Sequence, residues 1–531
     1  MPPTAPDVQS SVNPAELFPP SVSIAPAGKP TYHEILKSSA VIGGSAAVNM
    51  GIGLIRTKAL ALLLGPAGMG LMALYGSVLS LAQGVANAGI SRSGVRQIAE
   101  SARSGQFDRI AQTTTVIRRT SALLGLLGAV LLVAFSNQVS VLTFGDNRHA
   151  LAVSALSIAV FLGSVSGAQA ALIQGMRRIS DLAMMGIWGT FFGVIITVSL
   201  IYFFRENGIV PSIVGVAAIT LVTSWWYSRK LQIRDQSLTI LEWKQEASTL
   251  LKLGLAFNVS ALLTLGAAYA IRLIILHKIS FEAAGLYQSA WTLGGLYVGF
   301  ILQAMTTDFF PRLTAVAENN AECNRLVNEQ AQISLLLAGP GLVATMAFAP
   351  LVIALFYTSR FAEAVEPLRW ICFGMALRVV AWPMGLIVLA KGVQTIFVWT
   401  EVAATVVHVG LAFVLVGYFG LVGATVAFFG LYVWHGILIY WIVRQLSGFR
   451  WSAANRQLGL LFLPLIGLVF GAFHWLPFWI ATSIGAVATL VAGIYSVRML
   501  VSLVSLDRVP GPIRRLLTLF RFVPVSADLD R

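Results

Sequence analysis

The sequence predicts an all-α polytopic membrane protein: about fourteen transmembrane helices, two pseudo-symmetric six-helix lobes arranged as a parallel repeat, and two extra C-terminal helices. Three observations predict it. Hydrophobic residues make up 57% of the 531 positions and charged residues 11%, with a mean hydropathy of +0.80, far outside the range of soluble globular chains. Apolar runs of the ~20 residues that cross a ~30 Å hydrocarbon core recur from residue 38 almost to the end. Runs of that length form helices, because in lipid each span must satisfy its own backbone polar groups. The opening spans also align with the seventh and eighth, so the chain carries an internal repeat.

Residues 1–31 are rich in Pro, Ser and Ala and lack the basic-then-apolar pattern of a signal peptide, so a disordered cytoplasmic tail is expected there. Spans near 36–62, 67–90, 116–137, 149–175, 182–204 and 208–228 make an N-lobe over 32–230. A cytoplasmic linker is predicted at 231–248. Spans near 249–276, 284–306, 331–357, 365–390, 394–417 and 420–443 make a C-lobe over 249–445. Two extra spans, 457–473 and 477–499, fill 446–500. A basic tail follows at 501–531, where "IRRLLTLFRF" has the composition of an interfacial segment.

Positively charged loops are retained in the cytoplasm, so the distribution of Lys and Arg sets the orientation. After even-numbered spans come Arg92, Arg96, Arg103, Arg109, Arg118 and Arg119, then Arg177 and Arg178, then Arg229, Lys230, Arg234, Lys244 and Lys252. Both termini are therefore predicted to be cytoplasmic. Topology and anionic headgroups account for the net charge of +14 and leave no excess that calls for nucleic acid. Cys323 and Cys372 are too few for a disulfide framework, and the six histidines show no metal-site spacing. No Gly-rich loop ends in Lys-Ser/Thr, and no large outer loop carries paired carboxylates. The chain therefore reads as a transporter, not an enzyme, with no cofactor.

"LIRTKALALLLGPAGMGLM" ends the first span much as "AIRLIILHKISFEAAGLYQ" ends the seventh, pairing Arg56 with Arg272 and Gly70 with Gly285 at a spacing close to 216 residues. An even number of spans per repeat keeps both halves in one orientation. Polar stripes mark the helices expected to line a cleft between the lobes. In the first span Ser45, Asn49, Gly53 and Arg56 share a face; in the second, Gly76, Ser80, Gln83 and Asn87 do. The seventh span offers Asn258, Tyr269 and Arg272, and the eighth Gln288, Thr292, Gly295, Gly299 and Gln303. Such stripes also serve tight helix packing in lipid.

Arg56 and Arg272 fall in the outer third of their helices, where they either bind cargo or snorkel to the headgroups. Lys58 points about 200° away from Arg56 and is read as snorkelling. Arg378 falls mid-span, with His408 and Glu401 on the eleventh span as candidate partners for an ion pair, a substrate contact or proton coupling. Arg369 is expected at the interface, and His435 in a satisfied packing contact. A cleft rich in cations suits an anionic solute.

"GLIRTKALALLLGPAGMGLMALYGS" followed by "AGISRSGVRQIAE" resembles the O-antigen translocase group of polysaccharide flippases, in the multidrug/oligosaccharidyl-lipid/polysaccharide exporter superfamily. The resemblance implies alternating access in a bacterial inner membrane and a cargo of undecaprenyl-pyrophosphate-linked oligosaccharide, moved to the periplasmic leaflet for O-antigen, common antigen or exopolysaccharide. It also implies a polysaccharide polymerase and a chain-length regulator as partners. In that pattern Arg56, within "LIRTK", and its repeat equivalent Arg272 hold the pyrophosphate or acidic sugars. Two readings of the same superfamily stay open: a cation-coupled multidrug extruder, which typically needs an embedded carboxylate, and a lipid II flippase. A membrane enzyme of glycan assembly is the reading from another class.

Overall fold

Long apolar runs broken by glycine, proline and charged corners fold the described residues, 32–233 and 236–503 of a computed structural model, into helices with no strand among them. The expected tail at 1–31, the "IRRLLTLFRF" segment and Arg234 lie outside the described residues. The helices are α1 (Tyr32–Asn87), α2 (Ile90–Arg103), α3 (Phe107–Ala134), α4 (Ser136–Phe144), α5 (Ala150–Gly175), α6 (Ile179–Phe204), α7 (Ile209–Ser228) and α8 (Ile240–Lys278). They continue as α9 (Phe281–Ala315), α10 (Asn320–Ala347), α11 (Ala349–Phe356), α12 (Val365–Ala390), α13 (Gln394–Ser447), α14 (Ala453–Trp475) and α15 (Phe478–Leu503).

Ten apolar runs among the described residues are long enough to cross a membrane, and three of them, at 45, 53 and 54 residues, are long enough to cross twice. Counting those three twice and adding the 35-residue α9 gives the fourteen crossings that hydropathy predicts. Glycine makes two of the internal reversals. Gly65 (φ 66°), followed by Pro66, splits α1, and Gly420 (φ 57°, ψ −138°) splits α13. A side chain is strained at positive φ, and proline cannot donate its missing N–H to the helix ladder. The third reversal lies at Arg205, whose guanidinium donates to the Leu63 carbonyl at 3.3 Å, a cation placed on the open C-terminal end of the first half of α1.

Two features depart from the hydropathy reading. Helix α8 starts at Ile240, nine residues before the predicted span, because Thr239-Ile-Leu-Glu242 is a capping box: Thr239 N–H donates to the Glu242 carboxylate at 2.9 Å, and Glu242 N–H donates to Thr239 Oγ1 at 3.3 Å. The Thr239 donors favour the ionised carboxylate and pull the Glu242 pKa down. Helix α2, expected as a loop, is amphipathic, with Ile90 and Ile98 fully buried and Arg92, Arg96 and Arg103 exposed.

The helices fall into two compact units. The first holds α1 up to Leu63 and again from Leu74, then α2 to α7, and α8 up to Gly266. Within it, α3 packs on α5, α7 on α5 and α6, and α2 across α3 and α5. Ile90, Ile98, Ile110, Ile117 and Leu172 build a core that also buries Ala247 and Leu250 from the start of α8.

The second unit holds Leu64–Ala73, α8 from Ala267, and α9 to α15. In it α12 packs against α9, α10 and α13, while α14 and α15 pack on α10. A polar clamp fastens the α13–α14 connection. Asn328 donates to Arg450 O at 3.1 Å, its Oδ1 accepts from Ser452 N–H at 2.8 Å, and its carbonyl and side-chain oxygens accept from Asn455 at 2.8 and 2.9 Å. Also within this unit, a Cβ on Gly70 would stand 2.0 Å from Phe281 O, and one on Gly285 1.8 Å from Pro66 O. Gly70 and Gly285 are the glycines that the internal alignment pairs. Each faces a backbone carbonyl of the opposite segment, so the contact is reciprocal.

Because that contact is backbone against backbone, Gly285→Ala is expected to lower the yield of monodisperse protein on size exclusion sharply. Gly410→Ala, with nothing within 4 Å of the added Cβ, is expected to be neutral or slightly stabilising. Equal yields for the two variants contradict the close approach. Asn328→Ala removes the acceptor of the Ser452 N–H and the donor to Arg450 O, partly buried or exposed bonds that contribute about 0.5–1.5 kcal/mol each. A clear fall in thermal unfolding temperature in detergent is expected, and an unchanged temperature counts against the clamp.

Candidate functional site

The polar stripe on the first half of α1 leads to Arg56. Thr57 folds its hydroxyl back onto Gly53 O at 2.9 Å, and Leu60 and Ala61, one turn on, are buried. Arg56 itself is half-buried, and its Nε is shielded from solvent with no hydrogen-bond partner among the described residues. Asn49, two turns earlier, rests its Nδ2 against Gly186 of α6, and its Oδ1 is likewise buried without a partner.

The other amides of this unit tie helices together. Gln83 donates to Ala159 O of α5 at 3.1 Å beside Gly163, where a side chain would collide with it. Asn87 accepts from Ser91 at 3.0 Å across the α1–α2 corner. Asn258, buried on α8, donates to Gly84 O at 2.8 Å. Arg56 and Asn49 are thus the stripe residues of this unit left with unmet hydrogen-bonding capacity in shielded positions.

In the second unit the stripes of α8 and α9 meet. Arg272 donates through Nε and Nη2 to Gln288 Oε1 at 3.0 and 2.7 Å and through Nη1 to Ala268 O at 2.9 Å. Gln288 in turn donates to Thr292 Oγ1 at 3.0 Å. Every acceptor is neutral, so the guanidinium is oriented as a fork while its charge keeps no carboxylate among the described residues. Gln303, farther along α9, is exposed.

Arg378, on α12, is half-buried with its guanidinium 5.9 Å from the Tyr432 ring, and its Nε is shielded without a hydrogen-bond partner. Glu401 is half-buried on α13. His408 is buried, 5.8 Å from Phe428 between ring centroids, and its Nε2 has no partner among the described residues. His435 packs edge-on to Tyr432 at 6.0 Å, but its Nδ1 is buried without a partner, so the contact is apolar and leaves the ring unsatisfied. Tyr432, which pattern reasoning missed, is the hub of this group.

Arg369 corrects an expectation. It is 8% exposed and held by protein groups instead of headgroups, because α14 covers it: the guanidinium lies 3.8 Å over Phe473, pairs with Glu366 at 3.7 Å and donates to Met346 O at 3.4 Å. The i,i+3 spacing of Glu366 and Arg369 was the readable signal. Arg369 thus has its carboxylate, whereas Arg56, Arg272 and Arg378 have none among the described residues.

Span-embedded guanidiniums in a two-unit helical fold with fourteen apolar crossings define a polytopic membrane protein with cationic sites inside its spans. Residues 59–366 match the family described as polysaccharide biosynthesis protein, and the chain belongs to that family. The lipid III flippases of Escherichia coli (strain K12) and Shigella flexneri are each 23% identical to it over 424 residues, which is 77% of this chain and 99% of those proteins. Among solved structures, the lipid II flippase MurJ in an inward closed conformation superposes with a TM-score of 0.65 at 13% identity, covering 88% of this chain and 100% of that one. An inward-facing multidrug resistance MATE family transporter gives 0.63 at 16% identity, covering 77% and 99%. At these identities the solved structures establish the fold.

Gln288→Leu removes the acceptor of two guanidinium N–H groups; hydrogen bonds to a charged group contribute about 1.5–3 kcal/mol each. A lowered thermal unfolding temperature is expected. Gln288→Glu, which supplies the missing carboxylate, is expected to match or exceed the parent. If Gln288→Leu unfolds at the parent temperature, the fork is not held as described.

Proposed function

We propose that the chain is a flippase that carries undecaprenyl-pyrophosphate-linked oligosaccharide units, for O-antigen, common antigen or exopolysaccharide, from the cytoplasmic to the periplasmic leaflet of the bacterial inner membrane by alternating access. The observation that carries this reading is the set of three guanidiniums, Arg56, Arg272 and Arg378, placed in membrane spans without a carboxylate partner among the described residues. An embedded charge is costly unless it meets an opposite charge or water, and it points to a functional site. Arginine binds phosphate oxygens in bidentate fashion, and its planar fork suits a diphosphate better than a lysine point charge does. The family match and the likeness to lipid III flippases, over 77% of this chain and 99% of theirs, support the same class of lipid-linked cargo.

In this reading Arg56 and Arg272 hold the pyrophosphate or acidic sugars, and Arg378 takes a further acidic group. Asn49 and Gln303 supply polar lining for the glycan, Gln83, Asn87 and Asn258 hold the lining helices together and Gln288 orients Arg272, while Glu401 and His408 are the groups able to couple transport to protons. The polyprenyl tail stays in lipid. A polysaccharide polymerase and a chain-length regulator act on the delivered unit, and the chain catalyses no covalent step.

The test is complementation of a strain lacking the gene. The Arg56→Ala, Arg272→Ala double variant, expressed at the parent level, is expected to lose most or all restoration of surface glycan, and the corresponding double Lys variant to recover part of it. Gln288→Glu, folded but with Arg272 neutralised, is expected to fail as well. Full restoration by the double Ala variant contradicts the assignment.

A further inference from the structure

The first unit carries a second cluster of arginines outside the spans, at the end where the positive-inside pattern places the cytoplasm. A cavity of about 480 Å³ opens between the α2–α3 elbow and the early part of α8, lined on one side by Arg96, Glu100, Ser101, Ser104 and Arg109 and on the other by Thr249, with Leu250 and Leu253. The sequence folds this way because α2 buries Ile98 against α5 and must present Arg96 and Glu100 on its opposite face. The α8 wall is fastened by Glu246, which accepts from Gln97 and faces Arg109 Nη1 at 3.8 Å.

Both guanidiniums keep donors to spare. Arg96 gives only its Nε, at 2.8 Å, to Glu100, in a pair in which both side chains are more than half exposed; such pairs contribute only about 0.2–1 kcal/mol and yield readily to a better acceptor. Arg109 is 56% exposed and is positioned by charge at 3.8 Å, beyond hydrogen-bond range of Glu246. Serine, threonine and glutamine groups line the cavity beside the two cations, and the amphipathic α2 forms one wall.

We propose that this cavity binds the phosphate of a lipid headgroup at the cytoplasmic surface, with Arg96 and Arg109 as the two guanidinium clamps and Ser101, Ser104 and Thr249 bonding the remaining oxygens. Two lipids carry that chemistry there: a polyprenyl pyrophosphate awaiting transport, which rests on the flippase reading, and an anionic phospholipid, which does not. The site lies outside the spans that hold Arg56 and Arg272, so it can be assayed independently of transport.

The experiment is equilibrium binding of farnesyl pyrophosphate and of short-chain phosphatidylglycerol to the full-length chain in phosphatidylcholine nanodiscs. It is carried out in an Arg56→Ala, Arg272→Ala, Arg378→Ala background, so that binding belongs to the cavity whether or not the chain flips lipid. Adding Arg96→Gln and Arg109→Gln is expected to weaken binding by about 100-fold, roughly tenfold for each charge-assisted contact, with an unchanged thermal unfolding temperature. A preference for farnesyl pyrophosphate identifies the cargo as the ligand, and equal binding of the two identifies the surrounding lipid; both support a phosphate site. Should the double Gln variant misfold, Ser104→Trp, which fills the cavity from its exposed edge, is expected to abolish binding instead. Absence of binding in the background chain, or unchanged binding in a folded variant, overturns the proposal.

Discussion

A guanidinium inside a membrane span must be hydrogen-bonded, wetted or offered an anion, and much of this molecule is arranged around that requirement. Arg272 meets it in part: Gln288 and Ala268 orient the fork without neutralising it. Arg369 meets it fully, through Glu366 and the face of Phe473, and is thereby retired to a structural role that helps seat α14. The contrast within one chain is informative. A carboxylate three residues away neutralises Arg369, whereas Arg56, Arg272 and Arg378 have none among the described residues, which is the basis for proposing that their field serves a visiting anion.

The rest of the fold keeps these groups in place by letting backbones approach closely. Lipid offers no hydrophobic drive between helices, so small residues and interhelical amides do the joining. Gly70 and Gly285 bring two repeat-related segments into direct backbone contact, and Gln83, Asn258 and Asn328 bridge to carbonyls on neighbouring elements. Part of each polar stripe is therefore helix glue. This matters for function, because only residues with unspent hydrogen-bonding capacity can recognise a cargo without first breaking a structural bond. By that criterion Arg56, Asn49 and Arg378 stand apart from Gln83 and Asn258.

Sequence patterns carried the architecture well, because the bilayer imposes a length and composition that a hydropathy reading registers directly: fourteen crossings and helical breaks at Gly65 and Gly420 follow from it. The parallel repeat was legible from Arg56 with Arg272 and Gly70 with Gly285. The start of α8 was legible too, in Thr239-Ile-Leu-Glu242, but hydropathy gives no weight to an exposed capping box. Local pattern left the partners unread. Nothing in the spacing along α12 announces that Arg378 looks toward Tyr432 of α13, or that α14 returns to cover Arg369, since both depend on how distant helices pack. The acceptor role of Gln288 lay between: its place on the α9 stripe was visible, its bond to Arg272 was not.

An anion-carrying flippase has one consequence that no packing argument shares, which is the sidedness of its cargo. The most direct measurement deletes the gene in a strain with no redundant flippase and uses leaflet-selective labelling to locate polyprenyl-pyrophosphate oligosaccharides across the inner membrane. Accumulation on the cytoplasmic side is expected, reversed by the intact gene, with the sugar composition of the accumulated lipid identifying the glycan. Normal sidedness together with normal surface glycan would contradict it and leave the embedded arginines to serve a different solute.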